Sequence, residues 1–381
     1  MKIFLKKIIG YTLISILKTL KVIVVFRFAR IYSSRIGHLS VNIDLIINKE
    51  KKSIFFLSTD NSVANKYLLK IYKNTKRIFF LNIVDKIISC IRSVNLKSEF
   101  ILDIKDLQPE FNYFFYKKNN FKIKNNDVNF FYNFLEKNKI SKQFICFHNR
   151  DSAFLKKDNF NDNNSHDYRD FDFNVFIKSI KYLSKNNSII RIGSVQDKTN
   201  FKHKNFFDRT NNFYNPKLDI LFNYFAKYIV ISATGLAGIG SLFRKQIVYI
   251  NLIPFSLNQL SYCSPDSIIL PKKIYSKILK RYLTFSEMNR LNFNVHNAAN
   301  FFNEKKLTIV NNSEKEIYLC VKEMESRFSN SRIDNSEKID IHKNFWRVFD
   351  KDNYKKTLYL KEKLRIKIST DFLINNPNLL Q

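Results

Sequence analysis

Three of the chain's six glycines fall within Ser232-Ala-Thr-Gly-Leu-Ala-Gly-Ile-Gly240. A chain so poor in glycine keeps it where the backbone takes positive φ or comes close to another group. Small residues that follow a buried strand and open a helix turn backbone N–H groups outward, an arrangement that holds anions. Ser232 and Thr234 add hydroxyls there, and Gly235 and Leu236 stand where the helix would begin. A second stretch, His148-Asn-Arg150-Asp151, supplies a guanidinium that matches phosphate oxygens. His148 suits either a phosphate or sugar contact or a hydrogen bond within the fold. Asp151 either orients Arg150 or meets a substrate hydroxyl. Two further basic turns are expected at Arg191-Ile-Gly193 and Arg35-Ile-Gly37-His38. His38 is placed to take a proton from a hydroxyl or to cap its own turn. The chemistry these groups share is the holding of a diphosphate.

The elements that must position them follow a regular order. Ser53–Leu57 and Arg77–Leu81 read as buried strands with a helix over 64–72 between them, a parallel unit. Lys137–Lys142 is the expected linker. Beyond it come strands at 144–147, 188–192, 228–232 and 246–251, with helices between. Asn215 and Pro216 open one helix, and Ser313-Glu-Lys-Glu316 is a capping box for another that runs to about Phe328. The series is β-α-β-α-β, half of a doubly wound domain. In such a sheet the loops at 148–151, 193–197, 232–240 and 251–256 gather at the carboxyl edge. Residues 156–168 are asparagine-rich and read as a surface loop.

Several chemistries lack their residues. Gly235-Leu-Ala-Gly-Ile-Gly240 has neither the order of the dinucleotide fingerprint nor the Lys-Ser/Thr end of a P-loop. Asp170-Phe-Asp172 has D-x-D spacing, but Asp172 stands directly before a helix as a natural N-cap, so no metal is expected. There is no G-x-S-x-G elbow, no H-E-x-x-H and no paired Cys/His cluster. Cys90, Cys146, Cys263 and Cys320 are far apart in sequence and read as reduced thiols of the cytoplasm.

The chain's 381 residues exceed one ordinary core, and its 45% hydrophobic residues can fill two. A formal charge of +32 suits nucleic acid, an anionic membrane or a phosphorylated substrate, although lysine-rich composition alone supplies much of it. The bases are spread along the chain and no nucleic-acid motif occurs, so no nucleic-acid partner is expected. Lys6 and Lys7, then Ile8 to Leu17, imitate a signal peptide without its cleavage site. The uncharged run is too short to cross a bilayer, and Lys7, Lys18 and Lys21 leave one side of a helix. That pattern fits a helix lying on an anionic leaflet.

From Phe144 to about Phe328 the chain resembles a family of bacterial glycosyltransferases of surface-polysaccharide and O-antigen clusters. His148-Asn-Arg-Asp151 resembles its H-x-R-D, Ile190-Arg-Ile-Gly193 its I-R-x-G and Ser232-Ala-Thr-Gly-Leu236 its S-G-L turn. Asn251 to Pro254 resembles its N-x-x-P, and Leu270-Pro-Lys272 its P-K. Leu283-Thr-Phe-Ser-Glu-Met288, with Glu287, resembles its L-S-x-x-E-M. Arg35-Ile-Gly-His-Leu39 and Ile368-Ser-Thr-Asp-Phe-Leu373 resemble blocks at its two ends, while Asp170 replaces its usual Asn.

The resemblance implies a GT-B-like α/β architecture of two Rossmann-like domains. Residues 1–30 would be the amphipathic membrane-surface helix and 31–140 the acceptor domain. Residues 141–310 would be the nucleotide-sugar domain and 311–381 the C-terminal helices and tail. His38, Arg150 and Asp151 would be catalytic. Gly37, His148, Arg150, Arg191, Gly193, Ser232, Thr234, Gly235, Leu236, Asn251 and Glu287 would bind the donor. The co-substrate would be a nucleotide-diphosphate sugar, a GDP-sugar among the candidates, with no further cofactor and no metal. The acceptor would be a lipid-linked glycan, reached from the inner face of the plasma membrane. Alternative readings are a basic nucleic-acid-binding protein and another sugar-modifying enzyme such as a pyruvyl transferase.

Overall fold

The computed structural model describes residues 2–104, 107–110, 113–117, 119, 121–153, 166–194, 196–210, 215–291, 293, 297–329, 336–350 and 366–381. The asparagine-rich stretch expected as a loop lies outside them as far as residue 165. The chain folds as two compact units, residues 1–109 with 117–124 and residues 110–116 with 125–381.

The first unit is built on a parallel sheet of β1 (Val25–Ile31), β2 (Ser53–Thr59) and β3 (Ile78–Phe80), in that order. The helices Ile36–Lys49 and Lys66–Lys73 connect them, the second capped by Asn65 on the Leu68 amide. β1 occupies a segment assigned by sequence to the amphipathic helix. Arg27 and Arg30 obscure its strand pattern, but each has a carboxylate within its unit, Glu50 at 2.5 Å and Asp60 at 3.5 Å. Ala29 and Ile31 can therefore be fully buried beside them. The helix Lys2–Leu20 packs on the helix Val84–Val94, with Leu17 set among Val84, Ile88 and Ile91.

The second unit carries β4 (Phe144–His148), β5 (Ser188–Arg191), β6 (Phe206–Asp208), β7 (Ile229–Ile231), β8 (Ile247–Leu252) and β9 (Ile268–Pro271). A small antiparallel sheet follows, made of β10 (Lys273–Ser276), β11 (Arg281–Tyr282) and β12 (Leu307–Val310). With β13 (Lys367–Ile368) the large sheet has the order β13-β9-β8-β7-β4-β5-β6, and every pair in it is parallel. Its central strands are buried along their length, as expected of a sheet covered on both faces. From β6 to β9 this is the doubly wound order 3-2-1-4-5-6. Both units are thus α/β folds on parallel sheets, the class expected from sequence.

Local signals place the connecting helices. Asn215 accepts the Lys217 amide at the head of Pro216–Phe225. Ser313 and Glu316 close a capping box on Glu314–Phe328. Asp172 caps the turn Phe173–Phe176 through the Asn174 amide. The expected boundary near residue 140 differs from the observed one. The helix Asn125–Lys137 belongs to the second unit because Phe131 stacks on Phe225 and meets Phe222 edge-on, at 5.0 and 5.1 Å. Behind β6 lies a buried ion pair between Arg209 and Asp219.

Candidate functional site

All strands of the large sheet end at one edge. The chain runs outward from β4 through β5 to β6, then returns to β7 on the other side of β4. Loops leaving two adjacent strands in opposite directions open a crevice between them, where ligands of doubly wound sheets sit. Here the two strands are β4 and β7. His148 pairs in register with Ile231, so Asn149-Arg150 and Ser232 leave the sheet side by side.

On the β7 side, Ser232 is buried and its Oγ has no hydrogen-bond partner among the described residues; the same holds for Thr234 Oγ1. Thr234 precedes the helix Gly235–Leu242 in extended conformation, yet its side chain makes no capping bond. The Ala237 amide turns back to the Thr234 carbonyl at 3.1 Å, which leaves the two hydroxyls and the earlier N–H groups of the helix for another acceptor, and an anion answers all of them. Gly240 has a different purpose. A Cβ there would lie 2.7 Å from Ile247 Cδ1, so this glycine lets the helix approach the sheet.

On the β4 side, Arg150 is mostly buried, with Nη1 bonded to the His166 carbonyl at 3.0 Å and paired with the Asp170 carboxylate. Beyond β9, Lys272 is 1% exposed. Its Nζ donates to the carbonyls of Tyr168 at 2.8 Å and Asp170 at 3.3 Å. Burial first, then the charges of Arg150 and Arg169, push the Lys272 ammonium down to about 7. The turn 166–170 thus gathers Arg150, Arg169 and Lys272, and Lys272 meets carbonyls rather than a carboxylate.

The remaining expected residues have local partners. His148 is partly buried, and its Nδ1 lies 2.9 Å from the Ile192 carbonyl. Desolvation, with Arg191 and Arg150, brings its pKa to about 4 against the help of that carbonyl. The ring is neutral at pH 7, with its proton on Nδ1 toward the acceptor. Arg191 is wholly buried; it bonds Asn149 Oδ1 and Asp208 Oδ2, each at 3.1 Å, and lies over the Phe173 ring. It fastens β4 to β6 across β5. Asp151 accepts the amides of Ala153 and Asp197 at 3.1 and 3.0 Å, and desolvation raises its pKa. Asn251 exchanges bonds with Asn312 at 2.6 and 2.7 Å, tying the end of β8 to the segment before Glu314. Both Glu287 oxygens meet Arg281 at 2.8 Å, and one also takes the Thr284 amide, which with the ion pair holds its pKa at about 2.

Gly193 has φ of +133°, and a Cβ would stand 3.1 Å from His148 Nδ1 and 3.2 Å from Gln196 Oε1. Gly193→Ala is therefore expected to destabilise the second unit by about 1–3 kcal/mol, read as a lower midpoint in urea unfolding. Gln196 carries no distinguishing signal in the sequence. Its amide reaches Asn149 Oδ1 at 3.2 Å and so buttresses the Arg150 loop. In the sequence Lys272 stands out only as part of the Leu270-Pro-Lys272 block.

Solved structures of sugar transferases align with the chain. A glycosyl transferase family 9 protein from Veillonella parvula DSM 2008 aligns over 65% of this chain and 86% of its own, at 10% identity and a TM-score of 0.41. The iron-containing dodecameric heptosyltransferase TibC, in complex with ADP-D-beta-D-heptose, aligns over 63% of this chain and 62% of its own, at 10% identity and a TM-score of 0.33. A second structure of TibC, from enterotoxigenic E. coli H10407, aligns over 60% and 58% at 9% identity and a TM-score of 0.30. No family model matches the chain, and no curated protein matches it in sequence.

In the first unit, Gly37 and His38 lie within the first turn of Ile36–Lys49 and not in the loop expected from sequence. The Ile-Gly-His-Leu run continues into apolar residues at helical spacing, and this overrides the turn reading of its glycine. His38 stands 5.8 Å from the Tyr32 ring. Protein crowded around the imidazole and the charge of Arg35 lower its pKa, with Asp60 opposing them. It is thus a neutral ring near pH 7, able to accept a proton. The same unit holds a cavity of about 500 Å³ lined by Lys6, Arg30, Tyr32, Asp85, Arg92 and Asp103 among others.

Proposed function

We propose that the protein is a glycosyltransferase that moves a sugar from a nucleotide-diphosphate donor to a glycan acceptor of the cell surface, lipid-linked on its cytoplasmic side. The observation that carries this reading is the uncapped helix start at Thr234-Gly235. Two partnerless hydroxyls lie beside it, at the crevice where the sheet reverses. The donor's diphosphate would lie on that turn, with Arg150 and Lys272 on its flanks. The acceptor oxygen attacks the anomeric carbon as the bond from that carbon to the phosphate oxygen breaks. Negative charge builds on the leaving diphosphate, and fixed N–H groups and cations aimed at it lower the barrier. His38 would accept the acceptor's proton. The acids and bases lining the first unit's cavity suit a polyhydroxylated acceptor. None of these steps uses a metal.

A thermal-shift series with GDP, UDP, CDP and ADP tests the donor site. One of them at a hundred times its Kd should raise the melting midpoint by about 5 °C. No shift with any of the four at millimolar concentration removes the proposal.

A further inference from the structure

The helix Lys2–Leu20 is apolar on two sides, and only one of them is covered by protein. On the inner side Leu17 is buried and Leu13 and Ile14 pack against the helix Val84–Val94. Gly10 permits the approach, since a Cβ there would meet the Cys90 carbonyl oxygen. The helix is therefore a fixed part of its unit, and its outer side is held toward solvent. That side carries Leu5, Ile9, Ile16 and Leu20 in one stripe, all exposed. Phe4, Ile8 and Tyr11 lie further round the exposed side, with Phe4 71% and Tyr11 64% exposed. The turn after the helix continues the patch through Val22 and Ile23, 89% and 87% exposed. Ile83 and Leu96, which bracket the partner helix, are exposed as well. An apolar side that protein leaves uncovered asks for another partner, and an exposed apolar area of this extent marks a surface that meets something else.

The polar groups on that side fit an apolar surrounding. Thr12 and Thr19 return their hydroxyls to the carbonyls of Ile8 and Ser15, at 3.1 and 3.2 Å. They therefore present methyl groups with no donor left over. Lys7 and Lys18 are three helical turns apart on one line, at the opposite edge of the exposed side from the stripe. Neither meets a carboxylate among the described residues. The chain has no acidic residue before Asp44, whereas five lysines and three arginines precede it. No helix among the described residues is long and apolar enough to cross a membrane.

We propose that this outer side lies in the interface of an anionic bilayer, with the apolar stripe among the acyl chains and Lys7 and Lys18 at the head-group phosphates. The charge decides the occupant: a second copy of the chain would bring lysine against lysine, whereas an anionic leaflet brings phosphate. The proposal stands apart from the reading of sugar transfer, since it uses no residue of the second unit.

The test is flotation of the full-length protein with vesicles of phosphatidylcholine alone and of phosphatidylcholine with phosphatidylglycerol. The protein should float with the anionic vesicles and partition into them at least about tenfold more strongly than into the neutral ones. Ile9→Glu with Ile16→Glu should leave it at the bottom of the gradient. Both side chains face solvent, so an unchanged melting midpoint shows that the variant is folded. Lys7→Glu with Lys18→Glu should lose the preference for anionic lipid. Three results would each overturn the proposal. In the first, the wild type stays at the bottom with anionic vesicles. In the second, the Ile9/Ile16 variant floats as well as wild type. In the third, the lipid-free protein is a dimer that Ile16→Glu dissociates.

Discussion

Arg150→Ala should cut sugar transfer by about a thousandfold and leave the second unit folded. The proposed reaction sheds a nucleoside diphosphate, and charge grows on its bridging oxygen as the glycosidic bond fails. A guanidinium fixed beside that oxygen contributes most where the charge is greatest, so its loss falls on kcat more than on nucleotide affinity; removal of one such donor costs about 10²–10³ in rate. Arg150 is held in one place. Asp170 and the His166 carbonyl fix its Nη1, and its own carbonyl accepts the Phe171 amide. The fold survives because the Arg150 side chain stands at the strand edge, while Arg191 and Asn149 beneath it carry the structural bonds. Arg150→Lys keeps the charge and loses the fork, so it should recover only part of the rate. The measurement is product formation followed by mass, with the donor taken from the nucleotide that stabilises the protein. An alanine variant as fast as wild type would remove Arg150 from the reaction.

The residues that were legible in the sequence are those whose signal is local. Asn215-Pro216, Ser313 with Glu316 and Asp172 each act within one turn of chain, and each caps where its type predicts. The strands β4, β5, β7 and β8 are short apolar runs between polar breaks, and a sheet covered on both faces requires such runs. What stayed hidden depends on partners remote in the chain. β1 looks unlike a strand until Glu50 and Asp60 are placed against its arginines. β6 and β13 have three and two residues, too few for periodicity to register, although they complete the sheet. From sequence Arg191 reads as a ligand-binding residue. Nothing near it in sequence announces that Asn149, Asp208 and the face of Phe173 enclose it. Lys272 is the reverse case: its sequence surroundings are bland, and its character arises from the turn 166–170 folded over it.

That burial would make binding of the proposed nucleotide depend on pH. With no ligand the Lys272 ammonium titrates near 7, because it has left water and lies near Arg150 and Arg169. A diphosphate beside it reverses the balance, since an anion favours the charged form. Binding should therefore draw in a proton at pH values above about 7, and affinity should fall by up to about tenfold per pH unit above that point. Calorimetric titration in two buffers of different ionisation enthalpy reads the proton directly. A binding enthalpy independent of buffer at about pH 8 would place Lys272 away from the ligand.

Stability carries the opposite signature. The folded pKa of Lys272 lies below its unfolded value of 10.5, so between 7 and 10.5 the unfolded chain holds the extra proton. Folding stability then rises with pH across that window, and below it the whole cost of a buried ammonium is present. Lys272→Met removes that cost and forfeits two hydrogen bonds to carbonyls. The variant should be more stable than wild type by about 2–4 kcal/mol near pH 6, and its advantage should shrink toward pH 10. It should also bind nucleotide without taking up a proton. A lysine kept in the sheet edge against such a cost is hard to account for by the fold alone, because methionine of similar length would fill the same space. An anion that arrives from outside supplies the missing counter-charge. Urea unfolding of the two proteins at both pH values decides the matter, and a variant less stable at every pH would mean that Lys272 serves the fold itself.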